Sequence, residues 1–287
     1  MKTTLVGNVA THARMQLRKA TAASRRPAAL MINADDWGRD CETTDRICEC
    51  MRRGAVSSTS AMVFMADSKR AADLALENGF DAGLHLNLTT EFSSAATPAG
   101  LAVHQDRLRR YLRSNPIAKM VFHPGLAKSF RYVVSAQLEE FERLYKFPPG
   151  RIDGHHHMHL CANVLLGRLL PEGVIARRSF SFLPGDRRGL RVPYRSAIDR
   201  LLAKRHRIVD LFFSIAPLRP AERLHQIADL SHRFLVGLET HPVIPAEYHV
   251  LLAIGTEADA TGMAPAHGFR LPDAIPVPKH RPLAAPW

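Results

Sequence analysis

The sequence predicts an α/β fold built on a mostly parallel sheet. Three observations carry this expectation. Short apolar, strand-like segments recur along the chain with helix-like stretches between several of them, as in successive βαβ units. Two of the helix-like stretches stop at a glycine, Gly54 and Gly79. Clusters of aspartate and histidine fall at the ends of strand candidates, where parallel sheets place their sites.

The strand candidates are residues 28–34, 56–64, 82–88, 151–154, 173–177, 208–213 and 234–240. Residues 41–53 and 68–78 read as helices, each followed by a glycine in the C′ position. Residues 133–145 carry Leu138, Phe141 and Leu144 at helical spacing, and 197–205 and 221–230 are amphipathic. Residues 90–102 break the rhythm. They are polar and rich in Ala and Ser, and read as a loop, either a substrate rim or a tolerated insertion.

The chain of 287 residues is long enough to bury a full core as one domain or two. Residues 1–27 contain no acid and are expected to form a disordered basic extension. Residues 28–252 form the expected catalytic domain, and 253–287 an Ala-, Gly- and Pro-rich tail without regular order. No apolar run approaches the roughly 20 residues that span a bilayer, so no transmembrane segment is expected. The net charge is +12, a balance that favours anionic partners: nucleic acid, a membrane surface or a phosphorylated substrate. The basic residues are scattered and aromatics make up only 7%, so a solvated basic surface is the preferred reading and no nucleic-acid partner is expected. Cys41, Cys48, Cys50 and Cys161 make no Cys-x-x-Cys pair and read as reduced thiols, consistent with a cytoplasmic location.

Chemistry concentrates in three clusters. Residues 155–159 read His-His-His-Met-His, after Ile152, Asp153 and Gly154. Histidine is the commonest side-chain metal ligand and titrates near neutral pH. In an extended segment His155, His157 and His159 would face one way and His156 the other. A surface His tract is the bland alternative, and its mid-chain position between Ile152 and Leu160 argues against a tag. In the second cluster an apolar run ends in Asp35 and Asp36, then Trp37 and Gly38. Adjacent carboxylates repel, which raises the pKa of one unless a cation sits beside it. A helix N-cap would need only one Asp, nearer the helix. The third places His85 in the alternation of Leu84, Leu86 and Leu88. Such a set suits a hydrolytic site: one carboxylate and two imidazoles hold a divalent ion, and the second carboxylate accepts a proton from water. Asp153 can orient an imidazole or cap a loop. The basic run after residue 176 is mainly a solvated surface, from which Arg177 stands out as a substrate-binding or carboxylate-orienting group.

These residues resemble the YdjC-like carbohydrate deacetylases. The matching pieces are Asn33-Ala34-Asp35-Asp36-Trp37-Gly38, the Ser/Thr-rich stretch 54–63, Gly83-Leu84-His85-Leu86-Asn87-Leu88-Thr89, Ile152-Asp153-Gly154-His155-His156-His157-Met158-His159, and Glu239-Thr240-His241-Pro242, in the family's order. The resemblance implies an incomplete (β/α) barrel. It also implies one divalent ion, Mg2+ or Zn2+, on Asp36, His85 and His155, with Asp35 as general base and His241 as general acid. The expected substrate is an N-acetylated sugar or glycoconjugate, and a homodimer is left open. A metal-dependent phosphoesterase and a non-catalytic sugar- or metal-binding relative are the alternatives. After His241 and Pro242 the stretch 242–252 fits the family pattern poorly, so the closing element is expected to be missing or replaced.

Overall fold

A computed structural model describes residues 29–114, 117–183, 186, 191–220 and 222–256. The expectations for 1–27 and for the end of the tail, from residue 257, lie outside the described residues. The strands are β1 (Leu30–Trp37), β2 (Ser58–Ala61), β3 (Ala82–Leu86), β4 (Arg151–Gly154), β5 (Ile175–Ala176), β6 (Leu211–Ser214) and β7 (Val236–Thr240). They form one sheet in the order β5-β4-β3-β2-β1-β7-β6. Every strand pairing is parallel. Among the described residues the two end strands, β5 and β6, do not pair with each other; β5 makes an isolated parallel bridge from Ile175 to Arg207, in the segment ahead of β6. The sheet is therefore curled but unclosed, an incomplete α/β barrel.

The helices are α1 (Cys41–Arg52), α2 (Ser68–Asn78), α3 (Ala99–Ser114), α4 (Ala127–Tyr145), α5 (Ala162–Leu166), α6 (Arg191–Ala203), α7 (Glu222–Ser231) and α8 (Pro245–Thr256). Local chemistry sets several of their ends. The Asp40 carboxylate accepts a hydrogen bond from Thr43 N at 2.8 Å and caps α1. Gly79, at φ +65°, ends α2 in the left-handed conformation that glycine adopts without strain. On α4 the buried Phe130, Val133, Val134, Phe141 and Leu144 form one apolar stripe.

All eight residues of β1 are buried because both faces are covered. Leu30, Ile32 and Ala34 belong to the main core. On the opposite face Met31 joins Val209 and Phe212 in a small second cluster, and Asn33 and Asp35 continue that line. The inner face of the curl is therefore apolar at one end and polar at the end that carries the acids.

Three segments depart from the expectations. Helix α3 begins inside the stretch read as a loop. Its buried side is only Leu101, Gln105, Leu108 and Leu112, set among arginines, so its apolar period was weak. The segment after His241 and Pro242 is not missing a regular element. Helix α8 packs on α1, with Leu251 buried and Tyr248 hydrogen-bonded to Glu49. Strand β1 runs through Trp37, so Asp35 and Asp36 lie in the strand and not beyond it. Among the described residues no helix is long and apolar enough to cross a membrane.

Candidate metal centre

Strand register assembles the site. Asn33 of β1 pairs with Ser58 on one side and Glu239 on the other, and His85 of β3 pairs with Asp153 of β4. The register of β1 against β2 shifts between Ala34 and Trp37, a bulge. Within it Asp36 has φ +71°, a left-handed conformation that costs a non-glycine residue roughly 1–2 kcal/mol. That step turns the two neighbouring carboxylates apart: Asp35 meets Arg177, and Asp36 meets His85 and His155.

Asp36 Oδ1 lies 2.9 Å from His155 Nδ1 and 3.3 Å from His85 Nε2. Each residue offers one ligand atom, and these atoms all lie within 4.8 Å of one another. His85 Nδ1 sits 2.6 Å from Asp153 Oδ1. A carboxylate there holds the ring proton on Nδ1 and turns the Nε2 lone pair toward Asp36. That Nε2 is buried and has no hydrogen-bond partner, an orphan that a cation would satisfy. The donor set of one carboxylate oxygen and two imidazole nitrogens fits a divalent ion.

The charge balance points the same way. Asp35, Asp36, Asp153 and Glu239 converge on two guanidinium groups, Arg177 and Arg39. Burial alone would raise the Asp36 pKa, but its bond to His155 and the closeness of the His85 ring hold it well below the usual carboxylate range. Burial alone would lower that of His85, but the Asp153 and Asp35 charges push it up to about 10.

Arg177 is the second centre of the cluster. Its Nη1 donates to Asp35 Oδ2 at 2.6 Å and Glu239 Oε2 at 3.0 Å. Its Nη2 donates to Asp35 Oδ1 at 2.6 Å and pairs with Asp153 Oδ2. The guanidinium lies 5.0 Å from the centre of the Phe212 ring, and the side chain is only 6% exposed. The sequence left Arg177 between substrate contact and carboxylate orientation; the structure places it among three carboxylates. Burial raises the Asp35 pKa, and the Arg177 charge and hydrogen bonds reverse this, leaving it below the ordinary value. The repulsion expected from adjacent acids is thus answered by a cation beside one of them.

The histidine run is not extended. His156 and His157 have φ +55° and +58° within a short 3-10 segment. The expected alternation of faces is corrected accordingly: His155 and His159 are buried, while His156 is exposed. The chain doubles back closely here, so a Cβ on Gly154 would stand 2.9 Å from His159 N. His159 Nε2 is 2.9 Å from the Arg177 carbonyl oxygen, and burial lowers its pKa to about 3. His156 Nδ1 meets Thr89 Oγ1 at 2.9 Å. Beside them opens a groove lined by His156, His157, Phe180, Tyr194, Arg195 and Lys119.

His241 reaches the site from the end of β7, its Nε2 3.9 Å from Asp35 Oδ2 and its side chain 30% exposed. At that distance no planar amide fits between the two side chains, so the acid and the base do not face each other across a substrate-sized gap. Ala34 and Thr240 are register partners, so the residues after them stand on adjacent strands. The Glu247 carboxylate of α8 accepts from His241 N at 2.7 Å and from Thr240 Oγ1 at 2.9 Å, so the helix missed in the sequence supports this corner.

Sequence reasoning passed over Glu239, Asn33, Ser58 and Ser60 as parts of the site. Asn33 Nδ2 donates to Asp35 Oδ1 at 2.7 Å and Ser60 Oγ to Asp153 Oδ2 at 2.6 Å. Ser58 Oγ donates to Asn33 Oδ1 at 2.8 Å. The available signal was the hydroxyl run 57–60 in a segment otherwise read as a buried strand.

Comparison with known proteins bears on this arrangement. A carbohydrate deacetylase from Mus musculus is 31% identical over 141 residues, 47% of this chain and 44% of that protein. A chitooligosaccharide deacetylase from Proteus mirabilis is 33% identical over 132 residues, 46% of this chain and 50% of that protein. The matched stretch thus spans about half the length of these relatives. A solved structure from Enterococcus faecalis, described as a "putative cellobiose-phosphate cleavage protein", superposes with a TM-score of 0.61 at 20% identity. That superposition covers 83% of this chain and 96% of the other, and at this identity it speaks for the fold alone. The family model described as YdjC-like protein matches residues 29–231, a span that holds Asp35, Asp36, His85, Asp153, His155 and Arg177. The chain belongs to the YdjC-like protein family.

Proposed function

We propose that this protein is a metal-dependent carbohydrate deacetylase, which hydrolyses the acetamide of an N-acetylated amino sugar or glycoconjugate to a free amine and acetate. The observation that carries the reading is the convergence of Asp36, His85 and His155 around one point with the Asp35 carboxylate beside it. The names of the relatives supply the substrate class. A divalent ion held by Asp36, His85 and His155 would polarise the amide carbonyl and acidify a water, and two imidazole donors favour zinc over magnesium.

Asp35 takes a proton from the attacking water. Its pairing with Arg177 keeps it ionised at neutral pH and aimed, at some expense of basicity. His241 gives a proton to the departing nitrogen, which an amide requires because an unprotonated amine leaves poorly. Asp153 fixes the tautomer and direction of His85. Cytoplasmic residence belongs to the same proposal and matches four free cysteines.

A two-ion phosphoesterase fits less well. The second group of candidate ligands, Asp35, His85 and Asp153, shares His85 with the first, and its carboxylates already hold the Arg177 guanidinium. The deciding experiment is an acetate-release screen over N-acetylated sugars with metal analysis of the same sample. Asp35→Asn should keep the ion and lose turnover on the order of 10²–10⁴-fold. Full metal content with no acetate from any substrate would favour a non-catalytic relative.

A further inference from the structure

Residues 117–122 hold four apolar side chains out in water. Ile117 is 56% exposed, Met120 49%, Val121 50% and Phe122 40%. Large apolar groups grouped in this way mark an interaction site more often than chance. The segment is built, since its backbone is tied down from beneath. Ala118 is buried, and Tyr111 Oη lies 3.2 Å and 3.3 Å from the carbonyl oxygens of Ala118 and Val121. His123 N donates to Asn163 Oδ1 at 2.9 Å, and Asn163 Nδ2 returns a bond to His123 O at 3.0 Å. These anchors fix the loop with its apolar groups outward.

Its surroundings are basic. Arg113, Lys119 and Lys128 are exposed in or beside the segment, and none of them makes an ion pair among the described residues. Lys119 also lines the groove of His156 and His157 together with Arg195, and among the described residues no acid lines that groove. The whole chain carries +12. A second copy would bring the same basic shoulders and be repelled, whereas an anionic lipid surface complements them. An apolar tip between cations is the arrangement that enters the boundary of head groups and acyl chains.

We propose that residues 117–122 dock this protein on an anionic membrane surface, with Met120, Val121 and Phe122 entering the lipid and Arg113, Lys119 and Lys128 meeting the head groups. Docking sets the groove mouth against the membrane. If the deacetylase reading holds, a sugar carried on a lipid comes within reach. The vesicle test below needs no turnover, so the two readings fail separately.

The full chain should co-sediment with vesicles of phosphatidylcholine plus phosphatidylglycerol, weakly with phosphatidylcholine alone, and less in high salt. The triple substitution Met120→Ser, Val121→Ser, Phe122→Ser should weaken binding about ten-fold or more with all basic residues retained. A single Val121→Trp substitution should show a blue-shifted emission on anionic vesicles, a readout that does not depend on the triple variant folding. Absence of vesicle binding overturns the proposal. So does equal binding by the triple variant, which would mean attraction by charge elsewhere, or an unshifted tryptophan. A dimer that the triple variant breaks, without vesicle binding, would assign the loop to contact between copies instead.

Discussion

Replacing Arg177 by glutamine tests the electrostatic reading of the site most directly. The wild-type guanidinium serves Asp35, Asp153 and Glu239 at once from a site only 6% exposed. A glutamine keeps an amide with two donor hydrogens but no charge, so all three carboxylates lose their cationic partner. Breaking a buried pair by removing one member costs about 3–5 kcal/mol. At about 2–4 °C per kcal/mol for a domain somewhat smaller than this, Arg177→Gln should lower the melting temperature by roughly 10 °C. The pH dependence gives a sharper test. In the wild type Asp35 and Asp153 are held below their ordinary pKa, so their stabilisation is present above the unfolded value of 3.8 and is lost as pH falls. Without Arg177 burial is left to act and raises those pKa values. A raised carboxylate binds its proton more tightly folded than unfolded, so stability is gained as pH falls through the raised value. The melting deficit of Arg177→Gln should thus be largest near neutrality and shrink toward about pH 5. Thermal melts in chelator at several pH values measure this, and added zinc should recover part of the loss. A melting temperature within about 2 °C of wild type, or a deficit independent of pH, would refute the account.

Further outcomes follow from the same geometry. Asp36→Asn should lower metal affinity by more than about 100-fold, and Asp153→Asn, acting through His85, by about 10–100-fold, both read by metal titration; equal affinities in the two variants would remove Asp36 from the ligand set. His241→Ala should slow amide substrates far more than esters with good leaving groups, and equal losses on both would contradict an acid role. Gly154→Ala should cost about 1–3 kcal/mol in denaturant titration and weaken metal binding, because its Cβ meets the backbone of His159 at 2.9 Å. His159 is held neutral by burial, with a pKa near 3 against 6.5 unfolded. Its contribution is complete above 6.5 and is lost as pH falls, by about 2 kcal/mol at pH 5. His159→Gln should flatten that part of the stability profile, and an unchanged slope would exclude the effect.

Much of the architecture was written in local pattern. Strand-like and helix-like segments alternate, glycines stop two helices, and a parallel sheet with acids and histidines at strand ends follows from those facts. The ordered motifs identified the family because motif order is a property of the chain itself. Other features depended on packing. The sparse leucines of α3 and the start of α8 carry too little periodicity to announce a helix, and each is held by its neighbours, α4 for the first and α1 for the second. The left-handed steps at Asp36, His156 and His157 invert the side-chain directions that a simple extended strand would give. The pairing of Arg177 with Asp35 joins residues 142 positions apart. By itself the sequence determined which chemical groups are present and that Asp35, Asp36, His85 and His155 fall near strand ends. Only the curl of the sheet decided which of them share a charge, because an ion pair falls off with distance through space, and distance along the chain says nothing of that until the strands are in register.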